Sequence, residues 1–168
     1  MSARSTERDV ASFLAKYAPL IALQLRQGRA ILHRLFPRGF ELIYDNYNAL
    51  VFGFGPTLRA SDAVLSLAGY PKWTTLFFLK GATLSDLDGL LQGKGSQVRS
   101  IRLSGAADLE TREIQALIAQ AVATQEIAFA EAPPLSSAIK SVSATQRPRR
   151  PQPHAVVRTS MSSKERAP

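Results

Sequence analysis

The chain has no cysteine, which removes disulfides, thiolate metal sites and cysteine nucleophiles at once. Its two histidines, His33 and His154, have no second ligand at metal spacing, so no histidine-held zinc or iron centre is expected. No apolar run approaches the ~20 residues that a membrane span needs. The longest, Ala18 to Leu25 and Leu76 to Leu79, are far too short. The first ten residues, MSARSTERDV, lack the apolar stretch of a secretory signal. The expectation is a soluble, cytoplasmic protein without a membrane partner. Catalytic signatures are missing as well. No serine sits in G-x-S-x-G, and no acid pair is placed for glycoside chemistry. Gly93-Lys94-Gly95-Ser96 has the look of a phosphate cradle, but a Walker loop leads from a strand into a helix. Here a helix is expected before the loop and a strand after it. No catalytic residue, no metal site and no cofactor is identified.

What is abundant is positive charge, +8 in total. Its distribution matters more than its size. From Ile139 onward seven basic residues face only Glu165, which gives that end +6 and leaves +2 for everything before it. A basic groove across the folded part is therefore not implied, whereas a basic tail is.

Periodicity places the elements. Val10, Phe13, Leu14 and Tyr17 predict a helix over about 6–17, with Thr6 and Asp9 as an imperfect capping box. Pro19 opens a second helix and Pro37 with Gly39 ends it. The segment FELIYD then alternates Phe40, Leu42 and Tyr44 against Glu41, Ile43 and Asp45. With Ala49 to Phe54 it makes a hairpin. Strands follow at Ala63 to Ala68 and Trp73 to Lys80, the latter central because Phe77 and Phe78 are apolar on both faces. A short helix is expected at Asp86 to Leu91, a fifth strand at Ser100 to Leu103, and a final helix capped by Asp108. The fold class is α+β: an antiparallel sheet of about five strands with N- and C-terminal helices on one face. The expected organisation is a domain over 1–132 and a basic Pro/Ser/Arg-rich tail over 133–168, with an edge strand available at 138–143 and mobile chain from Ala144 onward.

Four groups of residues are candidates for binding. Tyr44, Asp45, Asn46 and Tyr47 gather phenols, a carboxylate and an amide at one hairpin tip. Turn chemistry explains them equally well, because Asp and Asn side chains mimic backbone turn bonds. Trp73 can offer a stacking platform or seal the rim of the core. Lys80 and Arg99, with Lys94 and Arg102, can converge as an anion site, or Arg99 can meet a carboxylate such as Asp45. In the tail, Arg147, Arg149 and Arg150 suit weak contact with nucleic acid.

The helical start, YDNYNALVFGFGPT, YPKWTTLFFLKGA and GLLQGKGSQVRSIRL occur in an order that resembles the YdhG-like family of small α+β domains of unknown function, over roughly Val10 to Val122. The tail piece IKSVSATQRPRRP is similar to one in relatives with the YDNYNALV version. The resemblance implies helices on one face of an antiparallel sheet. One branch is described as frataxin-like iron chaperones, and iron handling would call for clustered oxygen donors. The acids here are mostly isolated, with Asp86/Asp88 and Glu110/Glu113 nearest to clusters. The leading expectation is a non-enzymatic module that binds a small molecule or a protein. The alternatives are nucleic-acid association through the tail, or iron binding of the frataxin-like kind.

Overall fold

The computed structural model describes residues 2–153. Helices α1 (Ala3–Leu14) and α2 (Pro19–Leu35) lead into the strands β1 (Phe40–Asp45), β2 (Leu50–Gly55), β3 (Leu65–Gly69), β4 (Thr74–Phe78) and β5 (Arg99–Leu103). Two further helices, α3 (Arg112–Ala123) and α4 (Glu126–Glu131), precede a last strand, β6 (Ser136–Val142). The architecture is α+β, and the sheet order is β5-β4-β3-β2-β1-β6.

Two expectations change here. The sheet has six strands rather than five, and it is mixed: β6 runs parallel to β1 while every other pair is antiparallel. The cause is the crossover. β5 ends beside Thr74, so α3 and α4 must carry the chain back along the sheet before β6 can start beside Phe40. Bonds from Gly39 N to Pro133 O and from Leu135 N to Pro37 O fix that starting point. Gly39 makes the approach with φ of 108°, and a Cβ there would meet Gly55 O at 2.5 Å, so only glycine fits. The expected tail accordingly begins as part of the sheet.

Local details differ too. Ser2 caps α1, and the helix starts three residues before Thr6. Thr111 caps α3, while Asp108 instead binds the amide and hydroxyl of Ser104. Residues 86–91 form no helix: the Asp86 carboxylate accepts from Leu90 N and Leu91 N, and that local competition favours a loop.

Register decides which residues meet the helices. Ile43, Phe52, Leu67, Leu76 and Ile101 lie opposite one another across five strands and belong to the core shared with Val10, Phe13, Leu25 and Leu32. Side chains alternate along a strand, so Glu41 and Asp45 share the helix-facing side with Ile43. Leu42 and Tyr44 point to the other. The helix-facing row of β1 is thus the one with two carboxylates. Among the described residues, no helix is long and apolar enough to cross a membrane.

Candidate functional site

Both carboxylates of β1 are completely buried, and each is neutralised in place. Glu41 accepts two bonds from Arg29, at 2.7 and 2.8 Å, and one from Ser137 Oγ at 2.5 Å. Arg29 also donates to both oxygens of Glu7. His33 Nε2 lies 3.1 Å from Glu41 Oε1. Burial alone would raise the Glu41 pKa, but the Arg29 and His33 contacts outweigh it and hold it down at about 2.

Asp45 ends the same row. Lys16 Nζ is 2.5 Å from one oxygen and Arg149 is 2.9 Å from the other. Burial pushes the Asp45 carboxyl up, yet these bonds bring it below the usual carboxylate range. Arg149 is 4% exposed and also donates to Tyr47 O and Asn46 O. Ser143 N and the Gln146 side-chain amide both reach Asp45 O. The stretch from Ser143 to Arg150 is therefore strapped over the β1–β2 turn. The tail expected from sequence is thus hydrogen-bonded onto the domain as far as Arg150. His154 and the rest of the tail lie outside the described residues.

Beside Asp45, Tyr17 joins two strands. Its hydroxyl donates to Gly69 O at 2.7 Å and accepts from Leu50 N at 2.9 Å. Burial raises its pKa to about 12.

The strap forms one wall of a groove of about 600 Å³ at this end of the sheet. Arg147 and Arg150 line that wall, with Pro148 and Pro151. The other wall is the β3–β4 turn, with Tyr70, Pro71, Lys72 and Trp73. The two rings stack with centroids 5.4 Å apart. Trp73 is 37% exposed, and Arg102 lies 4.1 Å from its centroid. Arg147 reaches across to Tyr47, 5.6 Å from the ring centroid. Among the described residues, no carboxylate lines the groove.

The candidates from sequence divide as follows. Tyr47, Trp73, Arg147 and Arg150 gather at the groove, and Asp45, Asn46 and Arg149 build its support. Tyr44 does not join them, because alternation turns it to the other face of the sheet. Among the described residues its buried hydroxyl has no hydrogen-bond partner, and burial raises its pKa. Lys80 and Arg99 lie at the opposite end of the sheet, since Arg99 is paired with Phe78 and the Trp73 end of β4 faces Leu103. Arg99 donates to Gly95 O and Val98 O rather than to Asp45. Sequence reasoning missed Lys16 and Lys72 as partners of these groups. Lys72 carried a signal, its place beside Trp73 in a turn. Lys16 carried none, because its partner is 29 residues away.

Among the described residues, no group of three or more histidines or carboxylates is placed to hold a metal ion. Comparison with known proteins found no matching family model, curated protein or solved structure.

Proposed function

We propose that this is a YdhG-like, non-enzymatic binding module whose ligand is an anion carrying a flat unsaturated ring. The observation that carries this reading is the pairing of the Tyr70–Trp73 wall with Lys72, Arg147 and Arg150 in a groove without carboxylates. Stacked aromatics favour a planar apolar group, and guanidinium groups bind phosphate or carboxylate in a forked geometry. Among the described residues, the groove lining includes no histidine, serine or carboxylate. That favours binding over catalysis. The support beneath the groove points the same way, because a buried Arg149–Asp45 pair holds one wall in register with the other. An iron role draws no support here, since both buried carboxylates are occupied by cationic side chains.

Trp73 is the chain's only tryptophan, so its fluorescence reports on the groove directly. Titration with a nucleoside monophosphate should change that emission at least about tenfold more tightly than the nucleoside or inorganic phosphate alone, in line with roughly 1–3 kcal/mol for each part of the ligand. Equal, weak responses to all three would defeat the reading.

A further inference from the structure

Resting on that reading, we infer that the ligand is a single strand of nucleic acid, with bases against the aromatic wall and phosphates on the flanking cations. The groove is an open trench between two turns rather than an enclosed pocket, so a chain can pass through it where a lone nucleotide would be left half in water. Aromatic groups continue beyond the trench. Tyr47 stands 46% exposed under Arg147, on the β1–β2 turn next to the β3–β4 turn that holds Tyr70 and Trp73. Cations are interleaved with these rings: Arg102 on Trp73, Arg147 on Tyr47, and Lys72 and Arg150 on the trench walls. Rings and positive charge side by side match the two parts of each nucleotide in a single strand, base and phosphate. A duplex keeps its base faces stacked and would leave the rings without partners. Asp45, beneath the strap, is neutralised by Arg149 and Lys16. The whole chain, at +8, favours a polyanion in the same sense.

The test uses the full chain and Trp73 emission, titrated with thymidine monophosphate and with oligothymidylates of about two, four and eight nucleotides. Affinity should rise at least about tenfold from the mononucleotide to about four nucleotides, because added bases and phosphates find further partners. The slope of log affinity against log salt should be about −2, as expected for the three groove-lining cations Lys72, Arg147 and Arg150 at roughly 0.7 each. Replacing Lys72 and Arg147 by glutamine should flatten that slope by about 1.4. Both side chains lie on the groove walls, so the fold has no reason to fail with them. A Trp73→Ala variant, read by anisotropy of a labelled oligonucleotide, should lose at least about tenfold in affinity. Equal affinity for mononucleotide and oligonucleotide would overturn the strand and spare the anionic-ring reading, whereas no response to either would end both. An unchanged salt slope in the double variant would place the binding elsewhere on the chain and overturn the proposal. So would polyglutamate competing as well as the oligonucleotide, which would make the partner an acidic protein segment.

Discussion

Glu41 and Asp45 stand on the same face of one strand, both fully buried and both clamped by arginine, yet they belong to different systems. The Glu41 clamp closes within the helix layer, since Arg29 and His33 come from α2 and Glu7 from α1. Only Ser137 reaches it from far along the chain. The Asp45 clamp is closed by Arg149, 104 residues away, on a strap whose other side lines the groove. Two buried carboxylates with similar electrostatics can thus serve different ends. One fixes how helices sit on a sheet, and the other fixes the shape of a binding surface.

Removing one partner of a buried pair is worse than never having had it, because the remaining charge is stranded. Arg29→Met should therefore be the most damaging single substitution at either clamp. About 3–5 kcal/mol of stability should be lost, measured by urea unfolding, with groove affinity unchanged in whatever protein stays folded. Acid tests the same clamp without mutation. Glu41 titrates near 2 in the folded chain against 4.5 ordinarily, so its contribution is complete above about pH 4.5 and is lost as pH falls toward 2. That contribution is roughly 3 kcal/mol. An acid-unfolding curve for Glu41→Gln should lack this component.

Arg149→Met comes next. Asp45 keeps Lys16, so the cost should be smaller, about 1–3 kcal/mol. The distinguishing result is functional. Groove affinity should fall at least about tenfold while Arg29→Met leaves it alone, and the amide protons of Ser143 and Arg147, bonded to Asp45 O and Tyr47 O, should exchange faster as the strap loosens. If Arg149→Met destabilised the fold but left affinity intact, the contrast between the two clamps would be lost.

The parts of this design that sequence exposes are those set by short-range periodicity. Val10, Phe13 and Leu14 announce α1, and the alternation of FELIYD announces β1, because both signals repeat within a few residues. Asn46 and Tyr47 declare a turn for the same reason. What pattern could not show was which row of β1 faced inward, since Phe40, Leu42 and Tyr44 look the better core set. That choice was made by Arg29, Lys16 and Arg149, whose partnership with β1 exists only after folding. An edge strand is expected at 138–143 and β6 spans Ser136–Val142, but its parallel direction depends on the crossover through α3 and α4 and leaves no local pattern. Arg149 sat in a Pro/Arg-rich stretch whose composition reads as solvated chain, and its 104-residue reach leaves no local trace.

Tyr17 gives the smallest and sharpest test. It lies at the Asp45 end, with its ring 5.8 Å from the Arg149 guanidinium, so proximity alone would assign it to the groove. Its bonds say otherwise. The hydroxyl joins Leu50 N and Gly69 O, which are register partners on β2 and β3, and that is work of the sheet rather than of the strap. Tyr17→Phe keeps the ring and strands one buried amide and one carbonyl, a loss of about 1–2 kcal/mol. Affinity at the groove should change by less than about twofold, because neither Arg149 nor Trp73 touches that hydroxyl. A larger loss of binding would mean that the two strand ends, and not the Arg149–Asp45 pair, set the spacing of the groove walls, and Glu41 and Asp45 would then be two instances of one purely structural device.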